Sequence, residues 1–282
     1  MNTLMNHAFS RRHFLKTATV SAAVLGAGLP SVFAQKTKKI PVGLELYSVR
    51  TEMEKDVAKT IEAVAKIGYK GVEFAGYYNK KASELRKILD DNGIVCCGSH
   101  SPLETIKPEN IEATIEFNKT IGNKFIIVPY MDPKTKEGWL DMVKLFNEQS
   151  VKLKAAGLRL GYHAHSHDFS KIDGVSCWDI FFGGTNKDVV MQLDTSNCME
   201  GGADPVEVLK KYAKRAATIH LKEWGGAPNA VIGEGKVNFP GVFEICEKNG
   251  VTEWYVVEYE QAGDPIESVR RSFEALKKMG KV

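Results

Sequence analysis

Short hydrophobic runs alternate with amphipathic stretches along most of this chain of 282 residues. Eight of these runs are rich in β-branched and other apolar residues and begin about 30 residues apart, the length of one βα unit. The predicted strands are Pro41–Tyr47, Gly71–Phe74, Val95–Ser99, Phe125–Pro129, Leu158–His163, Val189–Asp194, Thr218–Leu221 and Trp254–Glu258. Nearly continuous apolar runs are typical of parallel strands that are covered on both faces.

Between the predicted strands, apolar residues recur with the spacing of a helix, and several stretches end at Gly or Asn-Gly. The predicted helices cover residues 57–67, 85–89, 111–121, 142–157, 206–212 and about 265–279. Repeated alternation of strand and helix predicts an α/β protein with a closed (β/α)₈ barrel, the TIM barrel. An open doubly wound sheet is disfavoured because no GxGxxG turn follows the first strand, GLELYSVR.

The first 34 residues have a different pattern. Arg11 and Arg12 precede the apolar run Thr17–Leu29, and small residues follow up to Ala34. This order is typical of a twin-arginine export signal, so we expect cleavage after Ala34 and a periplasmic protein. A membrane anchor is disfavoured because the run is short and rich in Ala and Gly, whereas a span needs about 20 apolar residues. Residues 35–282 then form a single barrel domain, whose usual length is about 250 residues.

Charge and cysteine content narrow the range of partners. The chain has 38 basic and 35 acidic residues, and loss of Arg11, Arg12 and Lys16 with the signal leaves 35 of each. A neutral chain has no electrostatic attraction for nucleic acid, so we expect a small-molecule substrate and no nucleic-acid partner. The five cysteines contain no CxxC pair and are expected to be buried, reduced residues. A homo-oligomer is possible.

The last four predicted strands end in residues that can bind a metal. His163 and His165 end the fifth strand, Asp194 the sixth, His220 the seventh and Glu258 the eighth. The carboxyl ends of parallel barrel strands meet at one rim, so these side chains are expected to converge. Mixed imidazole and carboxylate ligands suit Mn²⁺, Zn²⁺, Co²⁺ or Fe²⁺ more than Ca²⁺. Structural ion pairing is the alternative.

Every histidine beyond residue 34 lies at or just after the end of a predicted strand. These histidines are His100, His163, His165, His167 and His220. A single histidine is usually structural, but a set confined to strand ends indicates a shared site.

Seven segments of the sequence carry a family resemblance. They are GLELYSVR, GYKGVEFAG, LGYHAHSHDF, QLDTSN, HLKEW, IGEGKVNFPG and YVVEYE. In this order they resemble the sugar phosphate isomerase/epimerase group of xylose isomerase-like barrels, across essentially residues 40–280.

The resemblance implies a divalent metal held by Glu, Asp, His and Glu from the last four strands. Asp194, His220 and Glu258 match the last three of these ligands. The chain departs from the pattern on the fifth strand, where His163 or His165 replaces the first Glu. We favour His163 as the ligand, which leaves His165 to contact substrate or move a proton.

Further residues are candidates for the substrate site. The resemblance suggests that Glu73 binds substrate or acts as a base, with a structural salt bridge as the alternative. The predicted substrate contacts are Glu45, His100, Lys222 and Trp224. His167 and Asp168 lie further out than the two histidines of the fifth strand and are weaker candidates. Glu234 is a candidate contact at the rim, with an ordinary turn as the alternative. Tyr77, Tyr78 and Trp254 are candidates to form a wall for the sugar, with packing as the alternative, which also applies to Trp224.

These observations predict a metal-dependent isomerase or epimerase of a sugar or keto-sugar derivative, acting through an enediolate. Glu258, Glu73 or a histidine of the fifth strand would be the base. The alternative is a dehydratase or lyase that acts on keto-sugars or keto-glycosides through the same first step. A nuclease like endonuclease IV is disfavoured by the neutral charge and the export signal. A sugar-binding module without catalysis would not need carboxylates at the strand ends.

Overall fold

Eight parallel strands close into a barrel in the computed structural model, which describes residues 39–261 and 263–282. The predicted signal, residues 1–34, lies outside the described residues. The strands are β1 Val42–Glu45, β2 Gly71–Ala75, β3 Val95–His100, β4 Phe125–Val128, β5 Arg159–His163, β6 Val190–Asp194, β7 Thr218–Leu221 and β8 Trp254–Val257. They follow one another around the barrel in chain order, and β8 pairs with β1 to close it. The predicted (β/α)₈ fold is therefore confirmed.

Helices surround the barrel in the described part of the chain. They are α1 Arg50–Lys55, α2 Val57–Ile67, α3 Ala82–Asp91, α4 Ile111–Ile121, α5 Lys136–Ala155, α6 Cys177–Gly184, α7 Thr195–Glu200, α8 Pro205–Tyr212, α9 Phe239–Asn249 and α10 Pro265–Lys278. None of these described helices is long and apolar enough to cross a membrane. Sequence analysis missed α1, α6, α7 and α9; of these, α1, α6 and α7 have at most eight residues, too few for a clear period.

Side chains alternate between the two faces of each strand, and this alternation gives the barrel two apolar regions. Outward-facing residues such as Leu44, Leu160 and Ile219 belong to the large core between the strands and the helices. A smaller cluster fills the lower barrel interior: Phe125, Ile127, Val190 and Ala217, with Trp254 packed against them. Trp254 is thus a packing residue and not part of the sugar-binding rim that sequence analysis considered.

The five cysteines are all buried, and none forms a disulfide within the described chain. This outcome confirms the sequence prediction. Cys97 faces the barrel interior, where a Cβ on Gly43 would come within 2.6 Å of its sulfur and one on Gly71 within 2.8 Å of its Cβ. The two glycines therefore leave the space that the thiol occupies.

A buried arginine joins α6 to the segment before β7. Arg215 donates from Nε to the carbonyl of Val189 at 3.0 Å, and from Nη1 to the carbonyl of Phe182 at 2.6 Å. Its Nη2 donates to Thr185 Oγ1 at 2.7 Å and to the carbonyl of Asn186 at 2.8 Å. A cation beside the carbonyl end of a helix is favourable, and the arginine satisfies several groups that would otherwise be unpaired.

We expect Arg215→Met to lower the free energy of unfolding by about 3 kcal/mol, because it leaves buried carbonyl groups without donors. Urea denaturation measures the change. Arg159→Met is the matched control, since Arg159 makes a part-exposed ion pair with Glu253 at 3.0 Å. Loss of that pair is worth about 1 kcal/mol or less. Equal destabilisation by the two variants would contradict this account of Arg215.

Candidate metal centre

Four side chains from β5 to β8 meet at the carboxyl end of the barrel. His163 is the last residue of β5, Asp194 is the last of β6, His220 lies within β7 and Glu258 follows β8. One ligand atom of each lies within 4.8 Å of the ligand atoms of the other three, and all four residues are buried. The structure thus brings together the residues that sequence analysis named as ligands. Their binding of a metal remains a prediction.

Asp194 has one carboxylate oxygen with a partner and one without. Its Oδ1 accepts a hydrogen bond from the backbone N–H of Asn197 at 2.6 Å and so caps α7. Its Oδ2 is buried and has no hydrogen-bond partner among the described residues. Burial raises the pKa of Asp194 to about 7, because a carboxylate without compensation is unfavourable away from water. A cation in this position would provide the missing partner, so the site fits a metal.

His220 lies between two carboxylates. Its Nδ1 is 2.5 Å from Glu258 Oε2, and its Nε2 is 3.0 Å from Glu73 Oε1. Burial lowers the pKa of His220, but the two carboxylates outweigh burial and raise it well above its usual value. In contrast, burial and then the charges of His220 and His100 lower the pKa of His163. A metal binds only unprotonated imidazole, so cation binding would release the proton that His220 carries between its carboxylates.

Glu73 lies beneath these four residues and is fully buried. Its Oε1 accepts from His100 Nε2 at 2.7 Å and from His220 Nε2 at 3.0 Å, and its Oε2 accepts from Gln192 Nε2 at 2.9 Å. Burial raises the pKa of Glu73, but the nearby imidazoles outweigh burial and hold it well below its usual value. With both oxygens occupied below the mouth, Glu73 supports the histidines. These contacts match the structural alternative, and the role of Glu73 in base catalysis or substrate binding stays a prediction.

The space for the Glu73 carboxylate comes from the neighbouring strand. Pairing between β2 and β3 shifts between Val72 and Glu73, so that Val72 faces Cys96 and Glu73 faces Gly98. A Cβ on Gly98 would overlap with Glu73 Oε2. The bulge and the glycine therefore accommodate a carboxylate in the barrel interior.

Glu45 and His100 lie on the other side of the same interior. Glu45 is fully buried, and its Oε2 accepts from the backbone N–H of Tyr47 at 2.6 Å. Its Oε1 is 3.6 Å from His100 Nδ1, and burial raises the pKa of Glu45 to about 8. The His100 side chain is 10% exposed, and its Nε2 is already bound to Glu73. Both residues were predicted to contact substrate, a role that no contact here tests.

Gln192 was missed by sequence analysis although it joins several of these residues. Its amide contacts His100, His163 and Glu73, and it is fully buried. The available signal was its position two residues before Asp194, because that spacing on a strand puts both side chains on one face.

His165 and Lys222 lie nearer to the solvent. His165 is partly exposed, but its Nδ1 is buried and has no hydrogen-bond partner within the described part of the chain. Burial lowers the pKa of His165 to about 4, so the ring is neutral near pH 7. Lys222 Nζ donates to Glu258 Oε1 at 2.9 Å and also to Glu260. Burial lowers the pKa of Lys222, but Glu258 and other nearby carboxylates outweigh it and raise the value, so the side chain is a cation.

The segment 224–237 follows Lys222 in the chain and is held by hydrogen bonds to Glu223, a residue that sequence analysis missed. Glu223 Oε1 accepts from the backbone N–H groups of Trp224 at 3.0 Å and Val237 at 3.1 Å. Its Oε2 accepts from the N–H of Gly233 at 2.7 Å. These bonds hold the segment at both ends and at Gly233, and the half-buried Trp224 packs against the apolar core.

The weaker candidates have structural partners. Glu234 pairs with Arg271 of α10, and Tyr77 and Tyr78 pack against the core. His167 Nε2 lies 2.7 Å from the carbonyl of Met131, and Asp168 accepts from Tyr162 Oη at 2.8 Å. These contacts agree with the packing and turn alternatives for Tyr77, Tyr78 and Glu234, and a role of any of these residues at the site stays a prediction.

Known proteins can be aligned with most of this chain, by sequence or by structure. An inosose dehydratase from Clostridium beijerinckii is 28% identical over 272 residues, which cover 81% of this chain and 89% of that protein. The structure of a sugar phosphate isomerase/epimerase from Parabacteroides distasonis has a TM-score of 0.74 and 26% identity, covering 86% of this chain and 99% of that one.

A structure of the IOLI protein with a bound zinc atom has a TM-score of 0.67 at 14% identity, covering 86% of this chain and 99% of that one, and shows likeness of fold alone. The family model described as xylose isomerase-like TIM barrel matches residues 61–279. This match covers well over half of the sequence. The chain therefore belongs to the xylose isomerase-like TIM barrel family.

Proposed function

We propose that this protein is a metal-dependent enzyme that removes the proton beside the carbonyl group of a keto-sugar or related polyol ketone. Return of the proton would give an isomer or an epimer of the substrate. The observation that carries the proposal is the buried Asp194 Oδ2, which has no hydrogen-bond partner in the described chain. Three other residues that can bind a metal lie close to it. The sugar phosphate isomerase/epimerase of similar structure supports the same class of reaction.

The cation would be held by His163, Asp194, His220 and Glu258. Two imidazoles and two carboxylates suit Mn²⁺, Zn²⁺, Co²⁺ or Fe²⁺. When bound, such a cation polarises a ketone oxygen and makes the neighbouring C–H group more acidic.

His165 is the residue that we assign to proton transfer. Its ring centroid is 5.1 Å from that of His163, and its ring is partly exposed. Its buried Nδ1 has no hydrogen-bond partner in the described chain, so the ring is not held by another residue through that atom. Because burial lowers its pKa to about 4, the ring is in the basic form at neutral pH. Glu258, the other predicted base, has one oxygen bonded to His220 and the other to Lys222. Those two bonds favour His165 over Glu258.

Lys222 would stabilise the negative charge that develops on a substrate oxygen as the enediolate forms. Its ammonium group has three N–H donors, and Glu258 and Glu260 accept two of them. The third N–H can donate to substrate, where a fixed donor is most effective as charge grows. Trp224, two residues further along the chain, would form an apolar wall for the sugar.

Elimination is the second candidate outcome. If the same enediolate expels a group from the next carbon, the enzyme is a dehydratase or a lyase. The C. beijerinckii relative that is 28% identical is named inosose dehydratase, and an inosose is a cyclic polyol ketone. Both outcomes share the deprotonation that the site residues support, so product analysis separates them.

We expect Asp194→Asn to reduce metal affinity by more than the roughly 10- to 100-fold that is typical of losing a residue that only supports a ligand. Asparagine can keep the cap of α7 through its Oδ1, while its NH₂ group replaces the oxygen that faces the cation. Metal content is measured by elemental analysis and affinity by titration of metal-free protein.

Asp204→Asn is the matched control, because Asp204 caps α8 through the N–H of Val206 at 2.8 Å and is exposed. Its metal content should equal that of the unmodified protein. Unchanged metal content in Asp194→Asn would remove Asp194 from the proposed ligand set.

We expect His165→Gln to slow exchange of the substrate α-proton by about 10²- to 10⁴-fold, because it removes the assigned base. The measurement is NMR of metal-loaded protein with a panel of keto-sugars, 3-keto-glycosides and inososes in D₂O. Deuterated isomers would indicate proton return, and unsaturated ketones would indicate elimination.

His167→Gln is the control for this experiment, since His167 Nε2 is already paired with the carbonyl of Met131 and its removal should leave exchange nearly unchanged. If metal-loaded protein bound these ketones but never exchanged their protons, the chain would be a binding module and the enzymatic proposal would fail.

A further inference from the structure

A polar layer, formed by Glu73, Gln192 and Thr218, lies directly beneath the four candidate ligands. All three residues are fully buried. Gln192 is the centre of the layer, because its side chain contacts both of the others and two histidines. The contacts of Gln192 decide which nitrogen of a neighbouring imidazole carries hydrogen.

The orientation of the Gln192 amide is determined by its neighbours. Its Nε2 is 2.9 Å from Glu73 Oε2 and 3.0 Å from Thr218 Oγ1. A carboxylate accepts hydrogen bonds and cannot donate them, so the NH₂ group must face Glu73. The reversed amide would set its oxygen against the carboxylate oxygens of Glu73 in a fully buried site. The amide oxygen Oε1 therefore points to the opposite side.

That oxygen faces two imidazoles. Gln192 Oε1 is 3.0 Å from His163 Nδ1 and 2.9 Å from His100 Nε2. Because an amide oxygen only accepts, each of these nitrogens must carry a hydrogen. For His163, the lone pair is then left on Nε2. That nitrogen lies 4.0 Å from Glu258 Oε2, on the side where the four candidate ligands meet.

Glu73 determines which nitrogen carries hydrogen on His220, the second histidine among the four candidate ligands. It accepts from His220 Nε2 at 3.0 Å, which leaves Nδ1 of that ring directed to Glu258. One buried carboxylate thus orients His220 directly and orients His163 through the amide of Gln192.

We infer that Gln192 is a positioning residue, which holds His163 as the tautomer protonated on Nδ1 so that Nε2 is presented to the cation. The inference rests on the proposed metal centre. It adds Gln192 to Glu73 as a residue that orients a candidate histidine ligand. A histidine ligand usually has its remaining N–H fixed by an acceptor, which sets the ring orientation and strengthens binding. Here a glutamine does so, and its own direction is set by Glu73.

The test uses Gln192→Met, which keeps a side chain of similar length but cannot accept a hydrogen bond. Nitrogen NMR of histidine-labelled, metal-free protein reports the tautomer, and His163→Ala identifies the signal. We expect the unmodified protein to carry hydrogen on His163 Nδ1 and the variant to show a mixture or the opposite tautomer. Zinc affinity, measured by competition with a chromogenic chelator, should fall by about 10- to 100-fold.

Two further variants separate positioning from packing. Gln149→Met makes the same substitution at a buried glutamine of α5, and it should leave tautomer and zinc affinity unchanged. Gln192→Glu keeps an oxygen facing His163 and can share a proton with Glu73, so it should retain the Nδ1–H form.

A wild-type tautomer and wild-type zinc affinity in Gln192→Met would overturn the inference. Hydrogen on Nε2 of His163 in the unmodified protein would overturn it as well. If the unmodified protein showed the Nδ1–H form but bound no zinc, manganese, cobalt or iron, the assignment of the tautomer would stand and the metal-dependent function would fail.

Discussion

Charge balance inside the barrel is the constraint on which the rest of this structure depends. Glu73, Asp194 and Glu258 are carboxylates that have almost no contact with solvent. Isolated charges in such surroundings are strongly unfavourable, so each must be paired, protonated or bound to a cation. His220 and Lys222 compensate two of them, whereas one oxygen of Asp194 has no hydrogen-bond partner in the described part of the chain. A divalent cation bound by the four candidate ligands would compensate that oxygen.

The barrel is built so that these charges are kept apart from its apolar parts. The interior cluster around Phe125 and Val190 closes the lower end of the barrel. The polar layer lies two residues further along the strands, as the step from Val190 to Gln192 on β6 shows. The candidate ligands come next, at the ends of β5 to β8, and the loops form the rim. This layering follows the general pattern of the fold, in which stability resides at one end of the strands and chemistry at the other.

Much of the fold and half of the site could be read from the sequence. The eight strands were recognisable because parallel strands are apolar on both faces, and the four convergent residues followed from strand ends meeting at one rim. The depth of each side chain within the barrel was harder to predict from the sequence. Glu73 resembles Glu258 in sequence, but it is followed by two further residues of β2 and so lies below the mouth, whereas Glu258 lies beyond the end of β8. The face of β6 on which Gln192 lies follows from its position two residues before Asp194, but its partners depend on cross-strand register. Glu223 acts through backbone N–H groups of a loop. A single sequence reveals neither the register nor the loop conformation.

Closure of the barrel has a consequence for the order of events during folding. β1, near the start of the described chain, is completed as a strand only when β8 docks beside it, and Glu258 arrives with that last strand. Pairing of segments so distant in sequence is slow relative to local contacts. The four candidate ligands come from β5 to β8, which pair with one another in that order, so the set is complete only once the last strand has docked on β7. Tight binding of a cation would then distinguish chains in which β8 is in place from chains in which it is not.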